Sequence, residues 1–140
     1  ARKISIGVSP SSVTTVASSA SRAIVTAVGF ALPAAESFRF LKVSRVKPKG
    51  VSVLSIAALL ELAAAGTVVS ARIALGCMAD RPIRATAAEK ALLGCKLTPR
   101  EIAPALAAAG EGIAPITDPI ASAWYRAEVL PVHLGRLLSN

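Results

Sequence analysis

Residues 51–62 read VSVLSIAALLEL, a run that alternates with the period of two expected of a β-strand. Its five apolar residues on one face are Leu54, Ile56, Ala58, Leu60 and Leu62. Residues 68–77, VVSARIALGC, alternate in the same way and place on one face Val69, Ala71, Ile73, Leu75 and Cys77. Because only a short segment containing Gly66 separates the two runs, the sequence predicts an antiparallel β-hairpin.

Two further strand-like segments precede this hairpin, at residues 23–32 and 37–46. Beyond Pro82 the apolar period changes towards 3.6, which predicts helices. The first covers residues 86–93 and ends at Gly94, a typical left-handed cap. The second follows the capping box Thr98-Pro99-Arg100-Glu101, and the third opens at Ser122. Pro104 and Pro131 lie inside the last two helices, where each predicts a kink or a shifted helix start.

This order of elements, strands first and three helices afterwards, has no βαβ alternation. It predicts the α+β class, with an antiparallel sheet of three to four strands covered on one side by three helices. Residues 36–140 would form this domain, and residues 1–35 would be a flanking segment. The length of 140 residues is enough for one domain with a real core, but two domains are not expected.

The positive charge is concentrated near the amino terminus. Residues 1–50 hold eight basic side chains and Glu36, a net charge of +7, whereas the whole chain carries +8. Five basic residues recur every two or three positions: Arg39, Lys42, Arg45, Lys47 and Lys49. This row predicts a local anion site, and a solvated basic loop is the alternative. With five aromatic residues in the chain, a stacking platform for nucleic-acid bases is not expected.

The apolar composition does not indicate a membrane span. The best window, residues 51–69, is interrupted by Ser52, Ser55 and Glu61, so buried strands explain it better. Residues 22–35 have the pattern of a secretory apolar region with small residues at its end, so a small exported domain is another alternative.

Catalytic and metal-binding patterns are missing from the sequence. Cys77 and Cys95 lie eighteen positions apart, and His133 is the only histidine, so no zinc or iron–sulfur site is predicted. The cysteines are expected to pack as thiols in a reducing compartment, the cytoplasm, and a disulfide is the alternative. No nucleophile, Walker or dinucleotide motif occurs, and the acidic residues are scattered singly. We therefore expect no catalytic activity from this chain alone and no catalytic residue.

An ordered series of short segments nevertheless resembles one known family. The series consists of residues 40–45, 51–62, 71–79, 82–85, 88–89, 93–94 and 122–126. It is similar to the C-terminal domain of the FAD-binding medium subunit of molybdenum hydroxylases, the family of carbon monoxide dehydrogenase, xanthine dehydrogenase and 4-hydroxybenzoyl-CoA reductase. The most specific parts are the Pro82-Ile83-Arg84-Ala85 to Glu89 block and the Ser122-Ala123-Trp124-Tyr125-Arg126 segment. The sequence departs from the family at Cys77, where a second glycine is usual.

The resemblance implies a function in electron transfer. The domain would close over FAD and help to relay electrons from [2Fe–2S] clusters to an acceptor, with Lys42 as the first candidate flavin contact and Arg45 and Lys47 beside it. The molybdenum cofactor and the [2Fe–2S] clusters would lie on partner subunits, one large and one small.

The FAD itself would be shared with preceding domains, because the glycine-rich pyrophosphate loops of the family come before this region and the chain has no Gly-Gly pair. Residues 23–35 resemble the last strand of such an FAD-binding domain, so a fragment or a split subunit is expected. Residues 1–22 match nothing that we can place.

Two alternatives remain open at this point. The basic residues could serve a subunit interface or solvent instead of the flavin. The chain could also be a free-standing basic module that binds nucleic acid or an acidic partner, although the family resemblance implies no nucleic-acid partner.

Overall fold

The predicted hairpin forms the middle of a four-stranded antiparallel sheet. The strands are β1 (Phe38–Ser44), β2 (Ser52–Leu62), β3 (Val68–Gly76) and β4 (Ile83–Arg84). They pair in chain order, β1-β2-β3-β4. The computed structural model describes residues 32–34, 36–46 and 50–139. The strand predicted at 23–32 and the predicted flavin contact Lys47 therefore lie outside the described residues, apart from Leu32.

Three helices follow the sheet: α1 (Thr86–Leu92), α2 (Pro99–Ala108) and α3 (Ala123–Ser139). Helix α1 stops as predicted, because Gly94 takes up a left-handed φ of +79° just beyond it. At the start of α2 the Oγ1 atom of Thr98 accepts the Glu101 N–H at 3.4 Å, as a capping residue should. Both α2 and α3 continue through their internal prolines as single helices.

The helices and one face of the sheet enclose the core. Leu54, Ile56 and Ala58 on β2 are fully buried, as predicted from their alternation. The helices and loops contribute the other half of this core, which includes Met78, Ala88, Leu92, Ile102, Ala105, Leu130, Leu134 and Leu138. The α+β class with one sheet and three helices is thereby confirmed. Among the helices that the structure describes, none combines the length and the hydropathy needed to cross a bilayer.

One part of the predicted alternation is wrong. Val68 is buried at 1% exposure, whereas Val69, predicted to face the core, is 61% exposed. The pairing of β2 with β3 shifts between Glu61 and Leu62, so that Val69 is left over as an extra residue. A bulge of this kind reverses the face of the β3 residues beyond it, which explains why Val68 is buried in place of Val69. Leu62, also predicted on the core face, is 48% exposed at the end of β2.

The backbone is strained where β3 ends. Cys77 has a φ of +66°, in the left-handed region that residues with a Cβ rarely adopt. Its half-buried thiol lies 3.6 Å from the carbonyl oxygen of Ser52, a weak contact. The conformation suits the glycine that the resembling family carries here. Cys77 and Cys95 are both free thiols, so the alternative of a disulfide between them is not realised.

We predict that Cys77→Gly raises the free energy of unfolding by about 1 kcal/mol, because it removes the left-handed strain of a residue with a Cβ. Cys77→Ala is the matched control, since it removes the sulfur but keeps the Cβ. Urea unfolding of the three proteins measures the difference. Equal stability of the Gly and Ala variants would contradict the explanation.

Candidate functional site

The side of the sheet that faces away from the helices is the candidate site, and we call it the open face. Antiparallel pairing places its residues in three cross-strand rows. The rows are Phe38–Leu59–Arg72, Phe40–Ala57–Ala74 and Lys42–Ser55–Gly76. Since side chains of a strand alternate between its two sides, these nine residues share the side opposite to the buried core of β2 and β3.

Two of the three predicted flavin contacts can be placed. Lys42 lies on the open face, exposed, near the end of β1. Arg45 is exposed in the bend that follows this strand. Within the described part of the chain neither residue takes part in a salt bridge. At least these two cations are therefore available to an external anionic group on one end of the sheet.

The surface beside Lys42 carries little side-chain bulk. Its row continues with Ser55 and Gly76. A Cβ at Gly76 would lie only 2.3 Å from the Oγ atom of Ser55, so the serine hydroxyl occupies the space that a side chain would need. The neighbouring row holds Ala57 and Ala74. These four small residues lie on β2 and β3. They form a shallow shelf next to Lys42 and Phe40 on β1.

Arg39 does not belong to this group of available cations. Its Nη1 atom donates to the carbonyl oxygens of Leu137 and Leu138, at 3.0 and 2.6 Å. A cation suits these last carbonyls of α3 because they form the negative end of the helix dipole. The basic residues of the sequence row thus have two roles in the structure. Arg39 connects β1 to α3, whereas Lys42 and Arg45 are exposed.

The Arg84 to Glu89 block closes the edge of the sheet. Strand β4 is only two residues long, so it leaves the N–H of Ile73 without a strand partner on that side. The Oε1 atom of Glu89, which is 7% exposed, accepts this N–H at 2.7 Å. Arg84 holds the same carboxylate through two bonds of 2.9 and 2.6 Å. This bidentate pair, with the buried N–H, explains why a carboxylate follows Arg84 by five positions.

The Ser122 to Arg126 segment is also structural. Ser122 caps α3, because its Oγ atom accepts the Tyr125 N–H at 3.1 Å. Arg126 is 2% exposed and was not identified from the sequence as a buried residue. Its Nε atom donates to the carbonyl oxygen of Val53 at 3.0 Å, and its Nη atoms donate to the carbonyl oxygen of Ile116 and, at 2.8 Å, to Asp118. All three parts of the guanidinium therefore have acceptors.

Comparison with protein families identifies this arrangement. Residues 39–140 match the family described as CO dehydrogenase flavoprotein C-terminal domain. The chain belongs to this family. The match covers all three helices and the whole described sheet except Phe38, the first residue of β1. A search of curated proteins found no match.

Solved structures of CO dehydrogenase are similar to this family member. The reconstituted enzyme from Oligotropha carboxidovorans is 30% identical, with a TM-score of 0.66. The enzyme from Hydrogenophaga pseudoflava, in a form lacking the Mo-pyranopterin moiety of its molybdenum cofactor, gives the same two values. Quinoline 2-oxidoreductase from Pseudomonas putida 86 is 28% identical, with a TM-score of 0.66. In each case the match covers 73% of this chain and 35% of the other, so the chain spans about a third of these relatives.

The flavoprotein-family segments that carry the resemblance thus have two different roles. Arg84, Glu89 and Arg126 hold the domain together, whereas Lys42 and Arg45 point out of it. Within the described residues no cluster of His, Cys, Asp and Glu side chains could hold a metal ion. His133 lies on α3, where burial and the nearby charge of Arg136 lower its pKa and so favour the neutral imidazole.

Asp118 gives the Arg126 network a pH dependence. The hydrogen bond from Arg126 is the main cause that lowers the pKa of this carboxyl, and the N–H groups of Ala121 and Ile120 add to the effect. A lowered pKa in the folded state means that the carboxylate stabilises the fold above the unfolded pKa, and that this contribution is lost as the pH falls through the folded pKa.

We predict that Asp118→Asn flattens the loss of unfolding free energy between pH 5 and pH 3, the range around the unfolded Asp pKa of about 3.9. The wild type should lose more stability over this range, because it must protonate the partner of Arg126. Asp80→Asn is the control, since Asp80 is exposed and lies 3.8 Å from its partner Arg81. Chemical denaturation at each pH measures the slopes; an identical slope for the Asp118 variant and the wild type would refute the assignment.

Proposed function

We propose that this chain acts as the C-terminal domain of the flavin subunit of a multisubunit molybdenum hydroxylase. In that role it closes over FAD and helps to relay electrons from [2Fe–2S] clusters to an acceptor. Its membership of the flavoprotein family supports the proposal. The observation that carries it furthest is the exposed cation Lys42 on the open face, beside a shelf of small residues.

The shelf has the shape and the chemistry to meet the edge of a flat, polar ring system. Gly76 has no side chain and Ser55 offers a hydroxyl, so the backbone can be approached closely next to Lys42. Phe40 stands two residues before Lys42 on the same side of β1. The residues present therefore fit a flavin ring at this end of the sheet, with Lys42 and Arg45 as its cationic contacts; Lys47 is a third proposed contact.

Bound FAD would supply the redox chemistry, and the chain would supply charge. The Lys42 ammonium favours negative charge on a reduced ring, which raises the reduction potential. Arg45 lies just beyond β1 and adds a second positive charge near the same place. Neither residue transfers a proton or an electron in this proposal. Their role is to position the ring and to stabilise its charge.

Other parts of the enzyme would come from outside this chain. The chain has no Gly-Gly pair for a glycine-rich pyrophosphate loop, so the remaining FAD-binding segments are expected elsewhere. The molybdenum cofactor and the [2Fe–2S] clusters are proposed to lie on a large and a small partner subunit. We propose a cytoplasmic location, which suits the two free thiols Cys77 and Cys95.

The alternative of a basic module for nucleic acid has less support from the geometry. Arg39, one of the five residues of the basic row, is engaged by the α3 carbonyls. The cations of the basic segment therefore do not all point outward along one track, as an electrostatic footprint on a phosphate backbone would require.

We predict that Lys42→Met, in the flavoprotein assembled with its FAD-binding segments, lowers the flavin reduction potential by about 30 mV, equivalent to about 1.4 kcal/mol for a two-electron couple. The reason is the loss of a positive charge close to the ring. Spectroelectrochemical titration measures the potential, and absorbance measures the FAD content. Lys90→Met is the matched control, because Lys90 is an exposed lysine on α1.

An unchanged potential together with an unchanged FAD content in the Lys42 variant would contradict the proposed contact. A decrease of the same size in the Lys90 variant would do so as well, because it would show an effect of net charge alone.

A further inference from the structure

The two outer edges of the sheet differ in how they are covered. The start of β3 is covered by the backbone of residues 94–96, since the Val68 N–H donates to the carbonyl oxygen of Cys95 at 2.9 Å. Glu89 accepts the Ile73 N–H in the middle of this edge, and β4 pairs with its end. At the opposite edge, β1 has β2 as its only strand partner among the residues that the structure describes.

The hydrogen bonds of the sheet show which backbone groups of β1 point away from β2. The Leu60 N–H on β2 donates to the carbonyl oxygen of Ser37, directly before β1, at 2.8 Å. In an antiparallel pair only alternate residues bond to the partner strand. The outward bonds of Ile73 on β3 require the same phase, because Ile73 pairs with Ala58 and Ala58 with Arg39. The residues of β1 whose N–H and C=O groups point outward are therefore Phe38, Phe40 and Lys42.

We call the outward backbone groups of Phe38, Phe40 and Lys42 the free edge. A cavity of about 520 Å³ lies beside it, lined by the two phenylalanines on the open face and by Arg39 and Leu137 on the helix side. Because residues from both sides of β1 line this cavity, it runs around the edge of the strand, where another strand can approach. An edge of this kind is a template for pairing with another chain.

The free edge is complementary to itself. A second β1 strand can run antiparallel beside it with Phe40 opposite Phe40 of the second copy and Phe38 opposite Lys42. In this register each outward residue faces another outward residue, and each such pair exchanges two backbone hydrogen bonds. A shift by two residues loses this match. It brings in either Glu36, which precedes β1 with a left-handed φ of +66°, or Ser44, which lies beyond the register shift of β1.

The side chains that this register opposes are compatible. Phe40 meets its own copy on the two-fold axis, and aromatic pairs are favourable cross-strand neighbours. Lys42 lies opposite Phe38, so a cation meets the face or edge of a ring and not a like charge. On the helix side of the sheet the same register places Arg39 opposite Leu41. No two cations of the paired strands are therefore directly opposed.

We infer that the free edge pairs with the free edge of a second copy of this chain, in the antiparallel register that places Phe40 on the two-fold axis. The sheets of the two copies then form one continuous sheet. Because pairing uses up both free edges and the β3 edge of each copy is covered, the assembly closes at two copies. The inference goes beyond the proposed function, since it depends on the backbone of β1 and needs no flavin.

Disulfide formation between engineered cysteines tests the register in the full chain, in a background that carries Cys77→Ala and Cys95→Ala. Opposed residues that exchange hydrogen bonds have Cα atoms about 5.5 Å apart, a distance that a disulfide spans. We expect Phe40→Cys to form an intermolecular disulfide with itself on mild oxidation. Phe38→Cys and Lys42→Cys should join to each other when the two proteins are mixed. Neither should join to itself, because identical positions then lie roughly 14 Å apart.

Leu93→Cys is the control for disulfides that arise from random collision. Leu93 is 53% exposed, similar to Phe40, but it lies at the end of α1. A disulfide that forms as fast in the Leu93 variant as in the Phe40 variant would overturn the inference. Self-joining of the Phe38 variant without the mixed disulfide would overturn it as well, because the strands would then pair in another register.

Sedimentation equilibrium measures the association without a cross-link. High ionic strength is used, because each copy carries a net charge of +8 and the repulsion must be screened. We expect a dimer of the full chain. Phe40→Pro removes an N–H that points outward and that β2 does not need, so the variant should keep its fold and become a monomer. Phe40→Leu is the matched variant, since it keeps both the N–H and an apolar side chain, and it should remain a dimer.

Loss of the dimer in the Pro variant but not in the Leu variant supports the inference. A full chain that stays monomeric at about 0.1 mM overturns it, whether solvent or another segment of the same chain covers the free edge. A dimer that Phe40→Pro leaves intact overturns it too, because another surface then joins the copies. If circular dichroism shows that the Pro variant is unfolded, the disulfide pattern decides. None of these outcomes bears on the proposed function, whose readouts are the reduction potential and the FAD content.

Discussion

The buried guanidinium of Arg126 fixes how the helices lie on the sheet. Arg126 lies in the first turn of α3, and its guanidinium donates to three acceptors outside that helix. They are the carbonyl oxygen of Val53 at the start of β2, the carbonyl oxygen of Ile116 and the carboxylate of Asp118. A charge that is 2% exposed is tolerated only with a full set of acceptors, because a buried charge without a partner is strongly destabilising. The acceptors thus determine where α3 begins.

At the other end of the helix, Arg39 receives the last carbonyls of α3 and connects them to β1. Two arginines therefore hold α3 along the same side of the sheet. On the other side of the sheet Phe38, Phe40 and Lys42 remain exposed. In our proposal this arrangement connects the two arginines with the flavin contacts. Because α3 covers one side of the sheet, the other side, with its basic and aromatic residues, is available to a partner.

The sequence predicted those features whose cause is local. Alternation along β2, the glycine beyond α1 and the Thr98 cap each depend on a few neighbouring residues. The bulge at Val69 escaped prediction, since it depends on how two strands meet. The role of Arg126 could not be found either, because its acceptors lie as far as 73 positions away. For the site, Lys42 was named as a candidate from the family resemblance, and nothing in the sequence showed that Arg39 is occupied by the carbonyls of α3.

The most direct measurement is the structure of the assembled flavoprotein with FAD bound. The account predicts that the Lys42 ammonium lies within hydrogen-bonding or ion-pairing distance of the isoalloxazine ring, and that the Arg126 network is unchanged. A flavin bound on the helix side of this domain, out of reach of Lys42, would contradict it.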